Sequence, residues 1–253
     1  IDWHPLDAAL EGKVLLPVLG GHYGSVLGSG DIAVAFDRDK GSFALQYFEH
    51  RFPVDPSTYP FLLKCVEALL ERSAWRAQVS RLASAFERLP KRDTRDSRAK
   101  SERLLDKEAN KQRLAKLVAQ GEGIAQALDA AMAAINAPGP GDALHELIEA
   151  QAYRLTYWRV ASDEINYRRF FDINDLAALR MENKPVFEDT HALVLDLAAR
   201  GMIDGLRIDH PDGLYDPARY FEQLQEGYVS RVGVTLAGPD AKGRPARPLY
   251  VLI

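Results

Sequence analysis

The sequence predicts an α/β chain: a small β meander, then a long helical stretch, then parallel βα units. Three observations predict it. Turn residues recur at short intervals through residues 13–56, between strand-like runs. From Pro56 to about Ala152 the apolar residues fall at helical spacing. In the remainder, helix and strand patterns alternate through short links, which fits either a doubly wound sheet or a piece of a (β/α)8 barrel.

Composition bounds the reading. The 253 residues are 47% hydrophobic and 27% charged, with 32 Lys+Arg against 36 Asp+Glu and a net charge of −4. Such a chain can bury a core, which excludes a disordered tail or a collagen-like repeat. No run reaches the ~18 apolar residues of a membrane span, and the slight acidic excess argues against wholesale nucleic-acid binding. The one cysteine, Cys65, excludes an intrachain disulfide and an all-cysteine metal site. A thiol in an apolar stretch reads as a small buried hydrophobe in a reducing compartment, so a cytoplasmic location without a secretory signal is expected. The chain starts at Ile1 rather than Met, and Pro248 to Ile253 reads as a strand with no turn after it, so an internal fragment of a larger protein is expected.

In order along the chain, Lys13 to Leu19 is an apolar strand ending in Gly20-Gly21, and Val26-Leu27 is followed by Gly28-Ser29-Gly30. Ile32 to Phe36 leads into the turn Asp37-Arg38-Asp39-Lys40-Gly41, and Phe43 to Phe48 alternates again. These runs predict an antiparallel meander. Gly28 and Gly30 lack the third glycine and following helix of a dinucleotide fingerprint. Phe61, Cys65, Ala68 and Leu69 form one helical stripe, and Trp75, Val79, Leu82 and Phe86 a second that Pro90 closes. Lys91 to Arg113 holds nine Lys/Arg and five Asp/Glu, a solvated helix or connection without the interleaved aromatics of a nucleic-acid surface. Gly123 to Ile135 is a further helix, ended by Asn136 to Gly141. Asp142 caps the next, which is expected to run to about Arg159. Phe170 to Ile173 is a short extended segment. Asn183-Lys184-Pro185 opens a helix that Gly201 stops, Gly205 to Asp209 is a strand, Asp216-Pro217 opens another helix, and a Gly/Pro-rich loop, 238–248, leads to the last strand.

The chemistry concentrates in Gly205-Leu206-Arg207-Ile208-Asp209-His210-Pro211-Asp212-Gly213. Side chains alternate along a strand, so Leu206 and Ile208 share one face, and Arg207 and Asp209 the other. In a barrel the aliphatic pair would meet the outer helices, and the charged pair would stand at the C-terminal strand end where such folds keep their active sites. A guanidinium two residues away favours an ionised Asp209, as a nucleophile requires. The same spacing also suits a purely structural Arg–Asp pair.

Gly205 to Asp209 resembles the fourth-strand motif of the α-amylase superfamily of glycoside hydrolases. Longer stretches are narrower: Lys13 to Gly20, Tyr47 to Tyr59 with His50-Arg51-Phe52-Pro53, Tyr153 to Ala161 with Tyr157-Trp158-Arg159, Ile165 to Leu176, and Asp204 to Leu214. All resemble the maltooligosyltrehalose synthase family (glycoside hydrolase family 13), and only residues 60–140 are poorly matched. The resemblance implies a partial (β/α)8 TIM barrel around strands 4 and 5, with a small β meander and a large helical insertion. The implied division is a β-rich insertion at 1–58, a helical insertion at 59–160 and barrel at 161–253.

The same resemblance implies conversion of the reducing-end α-1,4 linkage of a maltooligosaccharide into α,α-1,1, by a retaining glycosyl-enzyme route. Asp209 is then the nucleophile and Arg207 its orienting partner, with His210, Asp212, Tyr167 and Phe187 as candidates to bind sugar and close the rim. The family's general acid, a glutamate, is expected just after Ile253, so the fragment alone is expected to be inactive. Asp212 and Gly213 stand where amylases commonly place Lys-His, which suits a different acceptor chemistry. No cofactor or metal is expected: His145-Glu146 lacks the second histidine of a zinc-protease helix. Two rival readings stay open, an amylase-type hydrolase or transglucosidase, and a helical binding module using Lys91–Arg113.

Overall fold

The computed structural model describes residues 10–70, 74–137, 143–171, 173–233 and 247–253. The chain forms two compact units, Ile1–Asn166 and Tyr167–Ile253.

The first unit runs β1 (Val14–Leu19), α1 (Tyr23–Gly28), β2 (Ile32–Asp37), β3 (Ser42–Tyr47), β4 (His50–Pro53), α2 (Tyr59–Leu69), α3 (Arg76–Glu87), α4 (Ser97–Ala119), α5 (Glu122–Asn136), α6 (Ala143–Glu149), β5 (Tyr153–Tyr157) and a short α7 (Ala161–Glu164). The antiparallel meander is β2-β3-β4, with Val34 opposite Leu45 and Leu45 opposite Phe52. Two expectations are corrected here. β1 does not join that meander but pairs in parallel with β5, Val14 opposite Tyr153 and Leu16 opposite Leu155, and Val26-Leu27 lie in α1. The helix expected to reach Arg159 ends at Glu149. Ala152 and Leu155 had continued the helical spacing, but Tyr153 and Leu155 are buried two residues apart, as on one face of a strand. The expected cap Asp142 lies outside the described residues.

One core joins the meander to the helices: Phe43, Leu45, Tyr59, Leu62, Val79, Phe86, Leu114 and Leu128 are all buried in it. Tyr59 meets Phe43 edge-on and Phe86 at a tilt, each at 4.8 Å between ring centroids, and its hydroxyl accepts a hydrogen bond from the Phe43 amide at 3.0 Å. α4 is the expected solvated helix, with only Asn110, Leu114, Leu117 and Val118 buried. Several of the cations in its stretch are paired: Arg103 with Asp55 at 2.6 Å, and Lys111 with Glu108 at 3.0 Å. Cys65 is half-buried, and burial pushes its thiol up. Amide side chains cover strand backbone in this unit. Asn136 accepts from the Val34 N–H and donates to the Val34 carbonyl (2.7 and 2.9 Å), and Asn166 does the same for Leu15 N–H and Lys13 carbonyl (2.9 and 2.8 Å).

The second unit runs β6 (Arg169–Phe170), β7 (Ile173–Ala177), α8 (Lys184–Ala199), β8 (Gly205–Arg207), α9 (Pro217–Val232) and β9 (Tyr250–Leu252). β6 and β7 form a hairpin; Asp172 of the expected extended segment lies outside the described residues. Asn183 precedes α8, and Gly201, at φ 67°, stops the chain after it as only a residue without a side chain does freely. Asp216 caps α9 by accepting from the Arg219 N–H at 2.9 Å. β8 and β9 are parallel, Leu206 opposite Val251, so β8-α9-β9 is the expected βαβ unit. The strand is shorter than expected: regular pairing stops at Arg207, although the Ile208 N–H still bonds the Leu252 carbonyl at 2.9 Å. Leu206 and Ile208 pack with Phe187, Leu195, Tyr220 and Leu224 from the helices, the side of the strand the alternation assigned to them. Most of the expected loop at 238–248 lies outside the described residues. Gln225 fixes the entry to β9 by donating to the Leu249 carbonyl and accepting its N–H, both at 2.9 Å. Together these elements make a mixed helix-and-sheet chain.

Candidate active site

Beyond β8 the backbone turns sharply. His210 takes a left-handed conformation at φ 50°, ψ 50°, and Pro211–Gly213 form a tight helical turn in which the Gly213 N–H reaches the His210 carbonyl at 3.3 Å. This turn faces a cleft of about 810 Å³, lined among others by Asp209, His210, Asp212, Phe170, Phe171 and Tyr220. The volume suits a small saccharide or other drug-sized ligand. Asp209 is 77% exposed, and its Oδ1 stands 3.9 Å from His210 Nε2, so the carboxylate faces solvent with an imidazole beside it.

A hydrogen-bonded group on α8 and α9 also reaches the cleft. His191 also lines the cleft and stacks on Phe187, with ring centroids 4.2 Å apart and planes 14° apart. Its Nδ1 is 2.9 Å from the Phe187 carbonyl, which can only accept, so the proton sits on Nδ1. Nε2 must then accept from the Tyr220 hydroxyl at 2.9 Å. Burial lowers the His191 pKa, against a smaller opposing effect of the Phe187 carbonyl, and burial raises that of Tyr220. Both groups are therefore neutral near pH 7, and the two hydrogen bonds hold the His191 imidazole in one tautomer.

Of the residues singled out from the sequence, Asp209, His210 and Asp212 come together on the cleft. Arg207 is exposed on β8 and is not among the cleft-lining residues; among the described residues no ion pair joins it to Asp209. Tyr167 stands behind the hairpin, donating its hydroxyl to the Asn174 carbonyl at 2.7 Å. Phe187 is buried at 4% exposure, because its ring packs between His191 and Tyr220 rather than on the rim. The sequence reading missed His191 and the hairpin rings Phe170 and Phe171. His191 carried one local signal, its position four residues after Phe187, on the same helix face. Among the described residues no three of His, Cys, Asp and Glu gather as a metal ion would need, and no helix is long and apolar enough to cross a membrane.

No family model matches the chain. Two curated proteins from strains of Mycobacterium tuberculosis, each named putative maltooligosyl trehalose synthase, are 43% identical to it over 106 residues. That stretch is 42% of this chain and 12% of each relative, so the match spans a small part of the curated proteins. Among solved structures, maltooligosyltrehalose synthase from Arthrobacter ramosus is 24% identical, matching 99% of this chain and 22% of its own at a TM-score of 0.45. A second maltooligosyl trehalose synthase structure is 22% identical, over 85% of this chain and 17% of its own, at 0.43. The resemblance read from the sequence is thus borne out by curated relatives of the same name: over the stretch they share, this chain is homologous to maltooligosyltrehalose synthases.

Proposed function

We propose that this chain supplies the nucleophile-bearing part of a maltooligosyltrehalose synthase, a glucan mutase that converts the reducing-end α-1,4 linkage of a maltooligosaccharide into α,α-1,1. What supports this most is one placement: the Asp209 carboxylate faces solvent two residues past the C-terminal end of a parallel strand, on a cleft of saccharide size. In this reading residues 161–253 form part of a (β/α)8 barrel around its fourth and fifth strands, with 1–58 and 59–160 as insertions. The protein works in the cytoplasm without a cofactor.

Asp209 attacks the anomeric carbon of the penultimate glucose, and its exposure leaves an oxygen free to do so. Arg207, exposed on β8 and without an ion pair to Asp209 among the described residues, acts as its orienting partner once its side chain swings to the carboxylate on sugar binding. The general acid in this reading is a glutamate following the last strand, about 5–5.5 Å from Asp209 in a retaining enzyme. As the α-1,4 bond breaks, the glutamate gives its proton to the leaving O4. The released glucose stays bound, turns, and attacks the glycosyl-enzyme through its anomeric hydroxyl. The proton of that hydroxyl returns to the glutamate, while Asp209 leaves with its electron pair and regains its charge. Water must be kept out meanwhile. His210 and Asp212 line the cleft where the rim must close, while Tyr167 and Phe187 act from behind it, the first on the hairpin and the second under His191.

The test is the full-length enzyme given maltopentaose. Loss of reducing ends with little free glucose is the expected result; release of glucose and short maltosaccharides would make it a hydrolase or simple transglucosidase instead.

A further inference from the structure

The structure assigns the ring cluster Phe170–Phe171–His210 as the platform that holds the released glucose while it turns, an inference that rests on the reading above and deepens it. Three non-glycine residues among those described have positive φ: Phe48, Phe171 and His210. The left-handed region is strained for bulky side chains, and such residues gather at functional sites. Two of the three touch. The Phe171 and His210 rings meet edge-on, with centroids 4.6 Å apart at 79°. Phe170 joins both, at 4.5 Å from Phe171 and 5.8 Å from His210.

Rings packed only for stability would be covered. Instead Phe170 is 41% exposed and Phe171 58%, and both line the cleft that holds Asp209. Flat faces suit the C–H surface of a pyranose. They also hold it without direction, whereas hydrogen bonds would fix one orientation, and the proposed reaction requires the glucose to turn. The platform begins beside the nucleophile, His210 being the next residue and its Nε2 lying 3.9 Å from the Asp209 carboxylate.

In the full-length enzyme, Phe171→Leu keeps apolar bulk and removes the flat face, and Phe171→Tyr keeps the face. With maltopentaose, the ratio of free glucose to non-reducing product is expected to rise roughly tenfold in Phe171→Leu, as expected for a substrate group out of place, and to stay near the parent value in Phe171→Tyr. An unchanged ratio in Phe171→Leu, whatever the overall rate, overturns the platform, and so does a tyrosine variant that leaks as much as the leucine one. If Phe171→Leu does not fold, Phe170→Leu carries the same two outcomes. An unmodified enzyme that makes no non-reducing product refutes the parent reading instead.

Discussion

Replacing Asp55 by Asn removes two ion pairs: a short one with Arg103 that ties the start of α4 to the corner between β4 and α2, and a looser one with Arg92 at 3.8 Å. Asp55 Oδ1 accepts from the Ser57 N–H and hydroxyl, both at 2.8 Å, and from Arg103 Nη2 at 2.6 Å. Arg103 also donates to the Pro90 carbonyl at 2.6 Å. Asparagine keeps the size and the acceptor for Ser57 but leaves Arg103 without its counter-charge. Breaking a fully buried pair costs about 3–5 kcal/mol, and breaking an exposed one about 1 or less. The side chains are 13% and 11% exposed, short of full burial, so about 2 kcal/mol is expected. For a chain of this size that lowers the melting temperature by about 4–8 °C. Burial pushes the Asp55 carboxyl up, but the Ser57 donors and Arg103 outweigh it and hold it below the ordinary value. Its folded pKa being depressed, its contribution is full above the ordinary carboxylate range and is lost as pH falls through the lower folded value. Thermal unfolding of parent and variant, followed by circular dichroism at descending pH, should show a gap at pH 7 that closes in acid. Equal melting at pH 7, or a gap that survives in acid, would refute the reasoning.

Three further outcomes are expected. Asp209→Asn in the full-length enzyme should lower turnover of maltopentaose by about a thousandfold or more while leaving its melting temperature unchanged, and near-parent turnover would remove Asp209 from its role. Gly41→Ala should cost about 2–4 kcal/mol in denaturant unfolding, because φ is +59° and the new Cβ would run into the Lys111 carbonyl and come within 2.8 Å of the Ala115 nitrogen on α4; an unshifted midpoint would mean that the β2–β3 turn does not pack there. Gln225→Glu sets a carboxylate oxygen against the Leu249 carbonyl and should cost about 2 kcal/mol, read as faster amide exchange across β9, with unchanged protection as the contrary result.

What the sequence disclosed follows from how local each signal is. Both ends of α8 and the start of α9 were legible because Pro185, Gly201 and Asp216 act on backbone within a turn of themselves. The inward side of β8 was legible because alternation assigns faces without naming a partner. The run Lys13 to Leu19 reads as a strand but of the meander, which is wrong, since its partner β5 lies beyond the whole helical region and no local residue encodes a parallel pairing at that range. At the site, Asp209, His210 and Asp212 are near neighbours in sequence and were found together. His191 gains its meaning from Tyr220, 29 residues on, and Phe170 and Phe171 from a histidine on another element. Phe187 was assigned to the rim on its position at a helix start, and only packing reveals that it lies beneath His191.

His210 is where a local rule and the structure part. A residue before proline is steered toward extended backbone, yet His210 precedes Pro211 and is left-handed. That conformation costs about 1–3 kcal/mol for a residue with a side chain, and its ring contacts, at about 0.5–1.5 kcal/mol per pair, are of the same order. Two substitutions separate these terms. His210→Ala keeps the strain and loses the rings, so it should destabilise the chain by about 1–2 kcal/mol. His210→Gly loses the rings and the strain together, though glycine gives back part of the gain through a freer unfolded chain, so it should melt close to the parent and above the alanine variant. Both should leak free glucose from the full-length enzyme, because neither keeps the ring beside Asp209. If glycine proves as destabilising as alanine, the backbone there is not left-handed. If the glycine variant keeps the parent's product ratio, the strain serves something other than the sugar.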